Sequence, residues 1–142
     1  VSGKGVPASL FMAMTKTLIK SIAAGKTDPA EIVGMVNHDL ATDNPFVMFV
    51  TLFLGILNIK TGILSYCNGG HNPPFLLRFD GELLPLSSTH GLALGVLEDF
   101  AYASSQIDLH HQDVLFVYTD GVTEAMDPQG VLFGEQKLKD TL

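Results

Sequence analysis

From Leu10 onward the apolar residues Leu10, Phe11, Met14, Leu18 and Ile22 recur every three or four positions, while Lys16, Thr17 and Lys20 fall on the other side. That spacing predicts an amphipathic helix that starts near Pro7, a residue suited to a first turn, and ends near Gly25. Asp28, Pro29 and Glu31 give a second start signal: an N-cap acid, a first-turn proline and a glutamate three positions on. The helix it predicts runs to about Thr42, with Ile32, Val33, Val36 and Leu40 as its buried stripe. From Phe46 the signals become those of strands. Phe46 to Ile59 is predicted as a core strand, Lys60-Thr61-Gly62 as a turn and Ile63 to Asn68 as the hairpin partner. A second hairpin is predicted from Phe75 to Phe79 and Glu82 to Leu86, turning at Asp80-Gly81. Tyr102 to Leu109 alternates as a one-sided strand, and Val114 to Tyr118 is predicted to pair with it across the turn His110-His111-Gln112-Asp113. Two helices followed by antiparallel strands predict an α+β fold with the helices packed on a sheet face.

Composition is that of a folded domain. A chain of 142 residues fits one domain and can bury about 70% of its unfolded surface; 46% of its residues are hydrophobic and the mean hydropathy is +0.30. The longest near-apolar run, Phe46 to Ile59, includes Thr51, Gly55 and Asn58 and is shorter than the roughly 20 residues a membrane span needs. No membrane segment or leader is therefore expected. The single cysteine, Cys67, excludes an internal disulfide and suits a reducing cytoplasm. The net charge of −7 is unevenly spread: Lys4, Lys16, Lys20 and Lys26 lie in the first 26 residues with no acid, whereas Phe79 to Gln136 carries ten acids and no Lys or Arg. Such a field attracts divalent cations and repels nucleic acid, although most of these acids are expected to be solvated surface.

Chemistry is concentrated in Val114-Leu-Phe-Val-Tyr-Thr-Asp-Gly-Val-Thr-Glu-Ala125, where an apolar run expected to be a buried strand ends in one carboxylate, Asp120. A rigid strand fixes such a carboxylate, and Gly121 lets the chain turn sharply away. The alternative is a turn aspartate that caps the following segment, since Asp-Gly is a common turn pair. Two further motifs bear on the choice: the opening Val1-Ser-Gly-Lys-Gly-Val-Pro-Ala8, and Asn68-Gly-Gly-His-Asn-Pro-Pro74.

Together the three motifs resemble those of the metal-dependent PPM-type protein serine/threonine phosphatases, in the bacterial SpoIIE-like branch, and the resemblance covers essentially the whole chain. It implies an antiparallel β-sandwich flanked by helices. It also implies that residues 1–142 are a partial phosphatase domain, incomplete at both ends. The family's motif places one metal-binding Asp immediately before the position of Val1, another further upstream and a third downstream of Leu142. Carried over by motif, Asp120 is a metal ligand and catalytic residue, and Val1 offers its backbone carbonyl to the metal. Two Mn²⁺ or Mg²⁺ ions are expected in the complete domain. Such ions take oxygen ligands, activate a water and neutralise phosphoryl charge.

The resemblance implies hydrolysis of phosphoserine or phosphothreonine on a partner protein, in a branch whose usual substrates resemble small anti-sigma-factor antagonists. An upstream sensor or receiver domain often accompanies such a domain, and exposed Lys16 and Lys20 offer the substrate a docking place away from the acids. The alternative function is a non-catalytic, phosphatase-like regulatory binding module. One carboxylate cannot hold two ions, so the 142-residue chain alone is expected to be a poor catalyst. A structural or oligomerising domain would need an exposed hydrophobic stripe, which cut sheet edges can imitate.

The remaining candidates have simpler explanations. His71 could donate a proton, but between glycines and prolines it is expected to fix a turn through side-chain hydrogen bonds. His110 and His111 would face opposite ways in a strand and are expected to be exposed turn residues. Cys67 is expected to be a buried strand thiol. Ser2-Gly-Lys-Gly lacks the spacing of a nucleotide-binding P-loop. Glu124 would share a helical face with Asp120 and is expected to cap.

Overall fold

The computed structural model describes residues 1–42, 44–86 and 91–142. The chain divides into two compact units: Val1–His71 with Ser88–Asp108, and Asn72–Ser87 with Leu109–Leu142. The expected α+β architecture, helices with antiparallel sheets, is what the chain forms.

In the first unit, α1 spans Val6–Ile22 and α2 spans Pro29–Thr42. Asp28 starts α2 as expected, its carboxylate accepting a hydrogen bond from the Ala30 N–H at 3.0 Å. Glu31 instead pairs with Lys26. Ile32, Val33, Val36 and Leu40 are almost wholly buried, and each contributes roughly 1.5–3 kcal/mol by leaving water. They pack with Phe11 of α1 and with Val50, Cys67 and Leu94. The predicted face of α1 needs correction. Leu10 and Met14 are 61% and 52% exposed, while the packed side runs through Phe11, Thr15, Leu18, Ile19 and Ile22. Residues are set about 100° apart on a helix, so a single line of contact with α2 covers one edge of the apolar stripe and leaves the other uncovered. Thr15 is tolerated in that contact because its hydroxyl donates to the Phe11 carbonyl at 2.8 Å.

The sheet of this unit has the order β1-β2-β5, with β1 Leu52–Leu57, β2 Ile63–Gly69 and β5 Ser105–Asp108, all antiparallel. The expected β1–β2 hairpin is present, and Asn58 closes its turn: its side-chain oxygen accepts from the Lys60 N–H and its backbone carbonyl accepts from the Thr61 and Gly62 N–H groups. The predicted strand from Phe46 is shorter, however. Pro45 and Phe46 form a turn, which the Asn44 side chain locks by accepting from Met48 N–H at 2.8 Å and donating to the Met48 carbonyl. Phe46 and Val47 are left exposed.

Asn37, fully buried on α2, is the main polar tie of the unit. Its amide donates to the Leu97 and Glu98 carbonyls, each at 2.9 Å, and its oxygen accepts from Gly95 N–H at 2.9 Å. Gly95 has φ +89°, and a Cβ there would meet the Met48 carbonyl oxygen at 2.8 Å, so only glycine fits.

In the second unit, β3 Phe75–Leu77 lies between β4 Leu83–Pro85 and β6 Val114–Phe116. The β3–β4 hairpin is as predicted, though shorter, and turns at Gly81. The predicted β5–β6 pairing is wrong: β5 pairs with β2 and β6 with β3, in separate sheets. The turn at His110 to Asp113 does form, but the Asp113 carboxylate binds Arg78 and the Phe79 N–H at the β3–β4 hairpin, which commits the following strand to the edge of β3. Short helices α3 Asp120–Thr123 and α4 Gly134–Thr141 complete the unit. Phe75, Tyr118 and Leu138 form its core, with Phe116, Val122 and Phe133 against them. Among the described residues no helix is long and apolar enough to cross a membrane.

Replacing Asn37 by Ala is expected to destabilise the protein by roughly 2–4 kcal/mol, since it removes three hydrogen bonds of a fully buried amide and strands the buried Gly95 N–H. A urea titration showing less than about 1 kcal/mol would contradict the assigned role of this side chain.

Candidate functional site

Strand β6 is half-exposed, not buried on both faces as expected: Val114 and Val117 are about half exposed. Tyr118 holds the segment instead. It is 6% exposed, its ring stacked on Phe75 (centroids 5.7 Å, 6° between planes) and on Phe116 (5.9 Å, 27°). Lys139 lies over the outer ring, 5.7 Å from the Phe75 centroid. Burial pushes the Tyr118 phenol pKa upward, with the charge of Glu135 adding to the effect and a hydrogen bond from the Asn72 side chain and the charge of Lys139 opposing it.

Thr119 follows with extended backbone (φ −108°, ψ 167°), and Asp120 opens α3. The turn is held by Val122 N–H to the Thr119 carbonyl at 3.0 Å and Glu124 N–H to the Asp120 carbonyl at 2.7 Å. Glu124 thus closes the helix through its backbone, while its side chain caps nothing among the described residues. Gly121 is part of the helix. A Cβ there would meet only the Thr119 hydroxyl, at 3.5 Å, so the sharp turn does not depend on glycine. The Asp120 carboxylate is exposed and has no hydrogen bond or ion pair among the described residues. It therefore does not act as the turn cap that was its simpler explanation.

Val1 belongs to the first unit and Asp120 to the second. Val1 is 43% exposed, and its carbonyl accepts no hydrogen bond among the described residues. Its neighbour Ser2 is anchored: the Ser2 N–H donates to the Phe49 carbonyl at 2.8 Å, and the Phe49 N–H donates to the Ser2 hydroxyl at 2.9 Å. Both candidate groups are hard oxygen donors left unsatisfied, which is the chemistry Mg²⁺ and Mn²⁺ take. They fit such an ion in kind and fall short in number, for no group of three His, Cys, Asp or Glu able to hold a metal occurs among the described residues.

The other candidates are placed largely as expected. The His71 ring hydrogen-bonds the Thr51 hydroxyl at 3.2 Å. The turn itself is fixed by Asn68, whose side chain accepts from the His71 N–H at 2.7 Å and donates to the His71 carbonyl at 2.8 Å. His110 is exposed. Cys67 is buried in β2, its pKa pushed up to about 11 by burial and by the charge of Asp28. Asp113 is not solvated surface. It accepts from the His110 N–H at 2.8 Å and from Arg78 at 2.5 Å, and these bonds, the backbone one foremost, hold its pKa below the usual carboxylate range against the opposing effect of burial. The anchoring role of Tyr118 is not apparent in the sequence, where its place two residues before Asp120 is the available signal.

The fold recurs in solved PP2C-type phosphatase domains. The PP2C domain of SiaA from Pseudomonas aeruginosa aligns over 99% of this chain and 56% of that chain with a TM-score of 0.81, at 20% identity. The sequence matches the family described as Stage II sporulation protein E (SpoIIE) over residues 1–142, and the chain belongs to that family. Protein IcfG of Synechocystis sp. is 32% identical over all of this chain and 26% of its own length. The phosphoserine phosphatase RsbU of Bacillus subtilis is 29% identical over 93% of this chain and 39% of its own. The chain thus spans between a quarter and two-fifths of the curated relatives it matches.

Two outcomes follow for the side chains now placed. In the native protein at pH 8, Cys67 should react with a thiol reagent at least about 100-fold more slowly than in urea, because it is both buried and protonated; fast native labelling would place it elsewhere. The lowered pKa of Asp113 stabilises the fold above the ordinary carboxylate value, and this contribution is lost as pH falls from about 4 through the lowered value. Asp113→Asn should accordingly melt lower at pH 7 and lose less on acidification in thermal scans from pH 7 to 2.5; parallel profiles would refute this.

Proposed function

We propose that residues 1–142 are part of a PPM-type phosphatase domain of a bacterial signalling protein, which hydrolyses phosphoserine or phosphothreonine on a partner protein. The observation that carries the reading is the Asp120 carboxylate: exposed, without a partner among the described residues, and fixed between a buried tyrosine and a hydrogen-bonded turn. Membership of the SpoIIE family and the likeness to a phosphoserine phosphatase support the substrate class.

Phosphatases of the PP2C type are metal-dependent, and when bound, Mn²⁺ or Mg²⁺ supplies an activated water and neutralises charge on the phosphoryl oxygens. In this reading Asp120 would hold an ion, and Val1 keeps, through its backbone carbonyl, the ligand role that the family motif gives its position. Tyr118 and the α3 turn orient the carboxylate, and its exposure leaves room for a phosphorylated side chain. Hydrolysis forms a bond from water oxygen to phosphorus and breaks the bond from phosphorus to the seryl oxygen, which leaves with a proton as the hydroxyl. The partner is proposed to be a small anti-sigma-factor antagonist or a similar protein, with the exposed Lys16 and Lys20 of α1 as its docking place. A cytoplasmic site is proposed to go with the reduced, buried Cys67. The absence of a three-ligand cluster among the described residues favours a second reading, a phosphatase-like regulatory binding module without a metal.

The full-length protein should hydrolyse a phosphoserine protein or a generic phosphate ester only with Mn²⁺ or Mg²⁺, and Asp120→Asn should lower kcat by at least about 100-fold. A folded full-length protein inactive with every divalent metal would leave the binding module as the function.

A further inference from the structure

The apolar stripe of α1 that α2 leaves uncovered borders two clefts, of about 720 and 400 Å³, which share Leu10 and Met14 and so form one continuous groove. Val6, Leu10, Ala13, Met14 and Thr17 follow one another at helical spacing along its floor, a run of about three turns or roughly 16 Å. One end is walled by Phe46. The turn that carries it is strained: Val47, a β-branched residue, has φ 51°, in the left-handed region, and the Asn44 side chain bonded to Met48 fixes it there. Phe46 and Val47 consequently face solvent, 80% and 78% exposed, instead of packing onto the unit.

Charge separates the two edges of the groove. Each residue advances about 100° around a helix, so Lys16 and Lys20 stand beside Ala13 and Thr17 on the edge away from α2. Both are exposed and make no ion pair among the described residues, and α1 contains no acid. The opposite wall is α2, where Asp39 and His38 line the cleft and His38 lies 3.5 Å from Glu98. One edge is therefore basic, and the other carries acid. A flat bilayer does not enter a walled groove, and the α1 of a second copy has no acid to answer the lysines.

We propose that this groove binds an amphipathic helix of a partner protein, whose apolar seam lies along Leu10 and Met14 and whose outer edge carries acids that pair with Lys16 and Lys20. Asp39 requires the inner edge of that helix to be free of acid, which fixes the direction in which it lies. The inference rests on the docking part of the proposed function alone; the metal role of Asp120 does not enter it.

The test uses the full-length protein and two synthetic amphipathic helices with the same leucine seam. One carries glutamate along one edge and glutamine along the other; its control has lysine in place of the glutamate. In titration calorimetry at low salt the glutamate helix should bind at least about 10-fold more tightly than the control, and the gap should close as salt is added. Lys16→Glu with Lys20→Glu should reverse the preference. Leu10→Gln with Met14→Gln should weaken the glutamate helix about 10-fold or more, with melting unchanged because both side chains are exposed. Asp120→Asn should bind the helix like wild type, so that the docking and phosphatase readings fail separately. Equal binding of the two helices, or binding of neither, would overturn the inference. So would self-association in sedimentation that Leu10→Gln with Met14→Gln abolishes, which assigns the groove to a second copy. Binding to phosphatidylserine vesicles lost in the same variant would overturn it too, in favour of a membrane surface.

Discussion

Buried polar side chains must find partners, and in this chain two of them, Asn37 and Asp113, join segments far apart in sequence. Asn37 has no exposed surface, and its three hydrogen bonds tie α2 to the backbone of residues 95–98. Everything else in the first unit is arranged around that contact. The Gly95 backbone can approach only because it carries no Cβ, Asn44 closes the adjacent turn, and the aliphatic stripe of α2 lies beside them against the sheet. Asp113 does the same for the second unit, drawing Arg78, Phe79 and His110 together and so deciding which strand β6 can join. The hydrophobic residues supply most of the stabilisation, and the polar ties decide which arrangement is adopted.

The candidate site follows the opposite rule. Every buried polar group discussed above is satisfied, yet Asp120 is presented to solvent with its carboxylate unpaired among the described residues. Its backbone is held by neighbours: the aromatic stack of Phe75, Tyr118 and Phe116 on one side, and the single turn of α3 on the other. A group that is rigid and unpaired is suited to meet a ligand from outside, because little conformational freedom remains to be lost on binding.

The chain belongs to the SpoIIE family, and its Asp120 carboxylate and Val1 carbonyl are each without a hydrogen-bond partner among the described residues, while Ser2 beside Val1 is anchored to Phe49. The chain spans about a quarter of one curated relative and about two-fifths of the other.

What the sequence determined by itself was local. The α2 helix, its cap at Asp28 and its stripe of Ile32, Val33, Val36 and Leu40 were legible because helical periodicity and capping act within a few residues. The two hairpins were legible for the same reason, and the metal role of Asp120 stays a proposal made on its motif. Tertiary structure alone decided the rest. The partner of β6 depended on a side chain, Asp113, reaching a hairpin 34 residues away, where chain proximity argued for β5. The exposed edge of α1 depended on how much of the helix α2 covers, and the strand expected from Phe46 was cut short by a side-chain lock at Asn44. Such contacts are set by which surfaces meet once the chain has collapsed, and no short window of sequence contains both sides of them.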